Sequence, residues 1–201
     1  QIPTPLLAQV DSSVGGKVAV DLPQGKNLVG AFYQPKLVVL DPDTLRTLSD
    51  QVWRDGLGEV VKYGCIGDEA LFELLEDCAA GGREALMAHM NEVLLHCLKA
   101  KAKVVEEDEH DTGARMTLNF GHTLGHAIES ANHLGGLYHG ECVALGMLPM
   151  IEDASLRRRT RAVYKKLGLP SRIRYDGDEI FEFIRHDKKT GPDGAITVVK
   201  V

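Results

Sequence analysis

The sequence predicts a mainly α-helical fold that is preceded by a short β-containing segment. From Trp53 onward, apolar residues recur at helical spacing in segments that glycines interrupt. The first fifty residues are instead rich in turn-forming and β-branched residues. The predicted boundary therefore separates residues 1–51, with strands and anion-binding loops, from a helical domain at 52–201.

The elements follow from local patterns. Leu37–Asp41 is a short apolar run that ends in an acid, which predicts a buried strand. Apolar periodicity predicts helices at 52–64, 67–79, 83–109, 112–131, 139–155 and 157–167, with a short helix near 177–186. Ile196–Val199 follows a Gly-Pro-Asp-Gly turn and predicts a closing strand.

Composition excludes several classes of protein. With 44% hydrophobic and 26% charged residues, the chain has the profile of a soluble globular protein. A net charge of −6 argues against binding to nucleic acid or to an anionic membrane surface. No apolar run is long enough to span a bilayer, and no secretory signal is recognisable. Four cysteines without CxxC spacing favour buried or free thiols in a reducing, cytoplasmic compartment.

The most informative motif contains two histidines. His122 and His126 are four residues apart in a segment with helical periodicity, so both imidazoles are expected on one face. On a single helix, Asp111, Arg115 and Asn119 fall within the same arc of roughly 80°. This combination favours a functional surface, although an ordinary amphipathic helix with a polar outer face is the alternative.

A divalent metal of the zinc type takes nitrogen and oxygen ligands, often with one position left open for catalysis. His122, His126 and His139 are the candidate nitrogen ligands, and Glu59 is the candidate oxygen ligand. Two of these residues also have an ordinary structural interpretation. Glu59 could form an i,i+3 ion pair with Lys62, and His139 could simply be the first residue of a helix.

Basic residues predict an anion-binding pocket. Gly15 and Gly16 precede Lys17, so backbone N–H groups and an ammonium can approach one anion. Lys101 falls inside the apolar stripe of its helix, where it either extends to solvent or meets an anion. Further cationic or amide groups in this set are Lys26, Asn27, Lys62, Arg115 and Lys188. Singly, each is typical of a surface loop, but together they favour a small, multiply anionic substrate such as a phosphorylated acid.

Several long motifs identify a family resemblance. They occupy residues 1–4, 6–17, 25–35, 58–64, 115–129, 139–141 and 187–189, and they closely resemble dehydroquinate synthase, a sugar-phosphate cyclase. The resemblance implies conversion of the keto acid phosphate DAHP into 3-dehydroquinate and phosphate in the shikimate route. It also implies bound NAD and a divalent metal, zinc or cobalt, and a homodimer for the full-length protein.

Because the family's glycine-rich nucleotide-binding half has no counterpart here, the chain is expected to be a C-terminal fragment. Residues 1–51 would then be a remnant of the NAD-binding domain, and residues 52–201 the metal- and substrate-binding domain. Such a fragment is expected to bind NAD weakly and to lack turnover on its own.

The resemblance also implies roles for individual residues. Metal ligands would be Glu59, His122 and His139, and His126 would transfer protons or bind substrate. Asp111 stands where the family commonly has a glutamate that accepts a proton, so its carboxylate is one methylene shorter.

Substrate and cofactor contacts are implied in the same way. Lys101 and Arg115 would hold the substrate carboxylate, and the residues that would contact hydroxyls or the carboxylate are Asn119, Lys62, Asp11 and Lys188. Lys17 and Asn27 would meet the phosphate. The residues that would border the nucleotide are Thr4, Lys17, Lys26, Thr44 and Thr47. Pro5 replaces a threonine that is usual in the family and removes a hydroxyl and an N–H near the cofactor.

Three alternatives stay open. A sister cyclase such as deoxy-inosose or epi-valiolone synthase acts on a substrate without a carboxylate, and the carboxylate-binding set disfavours it; aminodehydroquinate synthase is not separated this way. Metal-dependent alcohol dehydrogenases lack the 11–17 motif and the closing Asp-Lys-Lys. A non-catalytic helical assembly module would have no need of a stoichiometric metal.

Overall fold

The computed structural model describes residues 1–22, 25–109, 113–132, 136–186 and 196–201. Its strands are β1 (Lys17–Leu22) and β2 (Gly25–Phe32). Its α-helices are α1 (Asp50–Cys65), α2 (Glu69–Ala79), α3 (Gly82–Ala88), α4 (Met90–Glu107), α5 (His122–Ala131), α6 (His139–Met147), α7 (Ala154–Leu167) and α8 (Gly177–His186). A π-helical turn at Ala8–Ser12 and 3₁₀ turns at Pro42–Thr47, Ala114–Asn119 and Leu148–Met150 complete the secondary structure. The predicted mainly α-helical fold is confirmed.

The two strands form an antiparallel hairpin. Lys17 pairs with Phe32 and Val20 with Val29, and the register shifts between Val20 and Leu22. Both Val20 and Val29 are more than half exposed, so the hairpin projects apolar side chains away from the helical core.

The predicted strand at Leu37–Asp41 is wrong. This segment is irregular: Val39 N–H donates to the carbonyl of Gln1, and the terminal ammonium of Gln1 donates to the carbonyl of Leu37, but no strand ladder forms. A short apolar run does not make a strand without a neighbouring strand, and the described residues offer none here. The prediction of a closing strand at Ile196–Val199 is also wrong. Ile196 is the one residue of these four that forms a β-bridge, and the other three have no regular structure.

Predicted helices that lie on one periodic segment agree best with the structure. α1, α2 and α8 lie within two residues of the predicted bounds at each end. The predicted helix 83–109 is divided at His89, whose φ of −110° and ψ of 12° leave the helical region. The predicted helix 139–155 ends at Met147, and α7 begins at Ala154 because the Asp153 carboxylate caps its first turn.

The predicted single helix over 112–131 is wrong in a way that affects the site. Residues Ala114–Asn119 form a 3₁₀ turn, and Gly121 has a φ of 76° before α5 begins. A Cβ on Gly121 would lie 2.4 Å from Cγ of Met147, so close packing on α6 also requires glycine there. Arg115 and Asn119 therefore do not share the helical face of His122 and His126.

Helix α1 lies at the centre of the helical core. Leu57, Val60 and Val61 are fully or almost fully buried there. At the α1–α6 crossing, a Cβ on Gly58 would lie 2.1 Å from the carbonyl oxygen of Gly140. The two backbones thus touch, which brings the middle of α1 against the start of α6.

Two further predictions concern the whole chain. All four cysteines are buried and none forms a disulfide, as predicted. In the described part of the chain, no helix is both long and apolar enough to cross a bilayer.

Candidate metal centre

Three helices bring a carboxylate and two imidazoles together. Glu59 lies in the middle of α1, and His122 and His139 are the first residues of α5 and α6. Oε1 of Glu59 lies 3.3 Å from Nε2 of His122 and 3.7 Å from Nε2 of His139. His126 follows one turn later on α5, with its ring centroid 5.4 Å from that of His122 and 5.5 Å from that of His139.

The second nitrogen of each facing ring has its own partner. Nδ1 of His122 lies 3.0 Å from the carbonyl oxygen of Phe120, and Nδ1 of His139 lies 3.3 Å from Oε2 of Glu129. If Nδ1 donates its proton in both contacts, each Nε2 is left with a lone pair that faces Glu59. This arrangement is typical of metal-binding histidines, whose outer nitrogen is oriented by a carboxylate or a carbonyl.

Glu59 is charged although it is buried. Burial raises the pKa of its carboxyl, but the ammonium of Lys62 and the contact with His122 lower it by more, so that the pKa lies well below its usual range. Neither carboxylate oxygen receives a hydrogen bond of ordinary geometry. Nζ of Lys62 nevertheless lies 2.5 Å from Oε2 as an ion pair. The alternative predicted for Glu59 is thus present, and it leaves Oε1 directed at the two imidazoles.

Neighbouring carboxylates strongly affect the pKa of the His139 imidazole. Burial lowers the pKa of its imidazole, but the contacts with Glu129 and Glu59 raise it to about 10. A cation that binds here must therefore displace a proton, as metal ligation by histidine generally requires.

These residues fit a divalent cation. Ligand atoms of His122, His126 and His139 all lie within 4.8 Å of one another, and Glu59 adds an oxygen beside two of them. Nitrogen and carboxylate oxygen donors suit zinc, and imidazoles suit several transition metals. The structure brings together all four candidates; which three bind the metal stays a prediction.

A second polar cluster adjoins the centre. Oδ1 of Asp11 lies 2.5 Å from the hydroxyl of Tyr63 and 2.9 Å from Nζ of Lys101. Burial lowers the pKa of Lys101, whereas Glu59 and Asp11 raise the pKa of Lys62 against the effect of its burial. Lys101 has therefore met an anion inside its apolar stripe, and that anion belongs to this chain.

Arg115 is buried and bound to the backbone. Its Nη1 donates to the carbonyl of Glu109 at 2.9 Å, and its Nη2 donates to the carbonyl of Gly15 at 2.8 Å. Asp108 accepts the Arg115 N–H at 3.0 Å and so fixes the start of the 3₁₀ turn. Asn119, at the end of this turn, lines a small pocket together with Gly121, Thr123 and Met150.

The predicted cofactor residues lie near the amino end. Lys17 and Thr4 are exposed. The hydroxyl of Thr44 donates to the carbonyl of Asp41 at 2.7 Å, and that of Thr47 donates to the carbonyl of Thr44 at 3.1 Å. The remaining predicted residues have no described side chain: Lys26 and Asn27 are described in backbone as part of β2, and Asp111 and Lys188 lie outside the described residues.

Sequence reasoning missed three residues that support the site. Glu129 contacts His139, Tyr63 contacts Asp11, and Oδ1 of Asp55 accepts the Gly140 N–H at 2.7 Å. Glu129 follows His122 by seven residues, a spacing that places both on one helical face and could have revealed it. No local pattern indicates the other two contacts, because they join distant segments.

Family comparisons agree with this arrangement. A profile described as 3-dehydroquinate synthase C-terminal matches residues 56–190, and one described as 3-dehydroquinate synthase N-terminal matches residues 1–55. The chain belongs to the 3-dehydroquinate synthase family. The resemblance predicted from the motifs is thereby confirmed. The boundary between the two family profiles lies inside α1, and the predicted division at residue 51 stays a prediction.

Relatives named 3-dehydroquinate synthase cover almost all of the chain. The protein of Clostridium perfringens is 50% identical over 198 residues, and that of Clostridium beijerinckii is 48% identical over 198 residues. Each alignment covers 94% of this chain and 56% of the relative. The chain thus spans about half the length of the curated relatives it matches.

Solved cyclases have the same fold. A 2-deoxy-scyllo-inosose synthase, complexed with carbaglucose-6-phosphate, NAD⁺ and Co²⁺, is 31% identical with a TM-score of 0.82 and covers 94% of this chain and 54% of its own. The 2-epi-5-epi-valiolone synthase of Streptomyces hygroscopicus, with NAD⁺ and Zn²⁺ bound, is 26% identical with a TM-score of 0.80 and covers 91% of this chain and 54% of its own.

Proposed function

We propose that this chain forms the metal- and substrate-binding part of a 3-dehydroquinate synthase, which converts DAHP into 3-dehydroquinate and phosphate. The observation that carries the proposal is the convergence of Glu59, His122 and His139 from three helices beside a cluster of buried lysines. Sequence identity of 46–50% to relatives with this name supports the same reaction.

Glu59, His122 and His139 would hold a zinc or cobalt ion. Such an ion supplies a Lewis acid that polarises substrate hydroxyls. Oε1 of Glu59 lacks a hydrogen-bond donor of ordinary geometry and faces two imidazole nitrogens, which is the fit that this assignment needs. His126 lies close enough to this group to move a proton at the substrate while staying outside the ligand set.

NAD⁺, when bound, would supply a hydride acceptor for one substrate hydroxyl. The residues proposed to border it are Thr4, Lys17, Lys26, Thr44 and Thr47. Two of these hydroxyls, on Thr44 and Thr47, bind carbonyls within their own turn, so they would shape that turn more than bind the nucleotide directly.

Lys101 and Arg115 would bind the substrate carboxylate. Each already binds an oxygen of the segment between Asp11 and Gly15, so the carboxylate would replace those acceptors. Because Arg115 is planar and has parallel donors, it can bind a carboxylate in a bidentate way. The positive charge of the pair would select an anionic sugar acid over a neutral sugar.

The other proposed substrate contacts complete the pocket. Lys62 and Asp11 would contact substrate hydroxyls, and Asn119 and Lys188 would contact hydroxyls or the carboxylate. Lys17 and Asn27 would meet the phosphate, and Asp111 would accept a proton. We further propose that the full-length enzyme is cytoplasmic and forms a homodimer.

A sister cyclase is the second candidate, because the solved neighbours include 2-deoxy-scyllo-inosose synthase at 31% identity. Lys101 and Arg115 favour a substrate that carries a carboxylate. A phosphorylated hexose, which has none, therefore serves as the competing substrate in the test.

The decisive experiment measures phosphate release. The chain, alone and fused to the amino-terminal part of the Clostridium perfringens relative, is supplied with DAHP, NAD⁺ and cobalt; glucose 6-phosphate replaces DAHP in a parallel assay. We expect one cobalt per chain in both forms and phosphate release from DAHP by the fusion. Glu59→Gln is the inactive control. Failure to bind stoichiometric cobalt would support a non-catalytic module, and release from glucose 6-phosphate in place of DAHP would support the sister reaction.

A further inference from the structure

Tyr63 connects helix α1 to the turn that contains Asp11. Its side chain is fully buried, and its hydroxyl lies 2.5 Å from Oδ1 of Asp11, 52 residues earlier in the chain. Burial and the negative charge of Asp11 hold the pKa of the Tyr63 hydroxyl far above its usual value. The phenol therefore keeps its proton and donates a hydrogen bond to the carboxylate.

Lys101 reaches the same carboxylate oxygen from helix α4. Its Nζ lies 2.9 Å from Oδ1 of Asp11 and also donates to the carbonyl oxygen of that residue. Neither contact uses Oδ2. The Asp11 side chain retains 25% of its exposure, whereas that of Lys101 retains 7%. One oxygen of Asp11 is thus held by two donors from the core, while a quarter of the side chain stays exposed.

Lys101 and Tyr63 differ in whether they keep their contact with Asp11 when substrate binds. Under the proposed function, Lys101 turns to the substrate carboxylate and its contact with Asp11 weakens. Tyr63 has no exposed surface and no route to the substrate, so its hydroxyl has no competing acceptor there. It is the donor that can hold Asp11 throughout the reaction.

We propose that Tyr63 is a positioning residue for Asp11, whose Oδ1 it holds so that Oδ2 can accept a hydrogen bond from a substrate hydroxyl. This inference rests on the proposed function, because it takes Asp11 as a substrate contact. Tyr63 itself touches neither substrate nor cofactor.

The test compares two buried tyrosines. Tyr63→Phe removes the hydroxyl that binds Asp11, and Tyr164→Phe removes a buried hydroxyl that donates to the carbonyl of Ala144 at 3.0 Å, outside the site. Steady-state phosphate release from DAHP is measured in the active fusion. We expect Tyr63→Phe to raise KM about tenfold, equivalent to about 1.4 kcal/mol of lost binding, with kcat within about twofold. Tyr164→Phe leaves both constants within about twofold.

A second background separates positioning from general destabilisation. Asp11→Asn should itself raise KM by about tenfold or more, and Tyr63→Phe should then add less than about twofold. An undiminished tenfold effect of Tyr63→Phe in the Asp11→Asn background would overturn the inference, as would equal KM values for the Tyr63→Phe and unsubstituted enzymes.

The design also keeps the two proposals apart. If the unsubstituted fusion releases no phosphate from DAHP, the proposed function fails and this inference fails with it. If it releases phosphate normally and Asp11→Asn leaves KM unchanged, just the role assigned to Asp11 and Tyr63 is overturned. Should Tyr63→Phe not fold, as judged by circular dichroism, the Asp11→Asn result decides between these outcomes.

Discussion

Lys62 places its ammonium nitrogen 2.5 Å from Oε2 of Glu59, one turn away in α1, and both side chains are almost fully buried. Removing one partner of a buried pair leaves an uncompensated charge, which typically costs 3–5 kcal/mol. We expect Lys62→Met to lower the free energy of unfolding of the metal-free chain by about 3 kcal/mol. Saturating cobalt should recover part of this loss, because a cation at Glu59 restores a positive neighbour. Urea unfolding with a chelator and with cobalt measures both values.

A solvent-exposed pair provides the control for this experiment. Nζ of Lys200 lies 2.8 Å from Oε1 of Glu152, and both side chains are more than half exposed. Lys200→Met should leave the free energy of unfolding almost unchanged, with no dependence on cobalt, because solvent screens an exposed pair. Equal losses for Lys62→Met and Lys200→Met would mean that burial does not strengthen the Glu59 contact.

Metal affinity can distinguish the two possible ligand sets. His122, His126 and His139 are all close together, and Nε2 of His122 and Nε2 of His139 face Oε1 of Glu59. We expect His139→Ala to weaken cobalt binding by about 100-fold or more, and His126→Ala to weaken it by no more than about tenfold. Titration calorimetry gives the affinities, and the visible absorption of bound cobalt reports a change of ligand number. Equal losses for both variants would place His126 among the ligands.

Close packing between α1 and α6 yields a prediction about geometry. A Cβ on Gly140 would lie 1.8 Å from the carbonyl oxygen of Asp55, so Gly140→Ala must push the helices apart. We expect a loss of about 2–3 kcal/mol in the free energy of unfolding. Cobalt affinity should fall as well, because His139 precedes Gly140 and moves with it. Denaturant unfolding and calorimetry provide the two measurements.

Gly177→Ala is the matched control for the glycine substitution. Gly177 begins α8, and a Cβ there would meet no atom within 4 Å. Its replacement should change stability by less than about 1 kcal/mol and leave cobalt affinity unchanged. If Gly140→Ala behaves in the same way, the two helices do not require backbone contact at this crossing.

Local patterns predicted the helices well where one apolar stripe meets one partner, as in α1 and α2. They failed around Gly121, because periodicity does not register a change from 3₁₀ to α-helix or a left-handed residue. The four-residue spacing of His122 and His126 survived, since it lies entirely within α5. The predicted place of Arg115 on the same helical face was wrong. Tertiary hydrogen bonds to the carbonyls of Gly15 and Glu109 determine its position.

The candidate site depended on information of two kinds. Spacing alone offered His122 and His126 as a pair, and residue type added Glu59 and His139 as candidate ligands. The family resemblance then implied Glu59, His122 and His139 as the ligand set. The contact between Tyr63 and Asp11 joins residues 52 positions apart and has no period in the sequence. Such contacts result from how helices pack, and no local pattern of residue types encodes them.

The contact between α2 and α7 predicts a pH dependence. Nε and Nη2 of Arg159 lie 2.9 and 2.6 Å from the two carboxylate oxygens of Glu76. These hydrogen bonds lower the pKa of Glu76 from its usual 4.5. A depressed pKa in the folded state stabilises the fold above pH 4.5, and this contribution is lost as pH falls through the folded value.

Because both side chains are about one-third exposed, we expect Glu76→Gln to cost no more than about 1 kcal/mol at pH 7. The difference from the unsubstituted chain should shrink below pH 4.5, as measured by urea unfolding across this range. Glu106→Gln, on the exposed face of α4, is the control and should leave the acid limb unchanged. A difference for Glu76→Gln that stays constant down to pH 3 would show that Arg159 does not favour the ionised carboxylate.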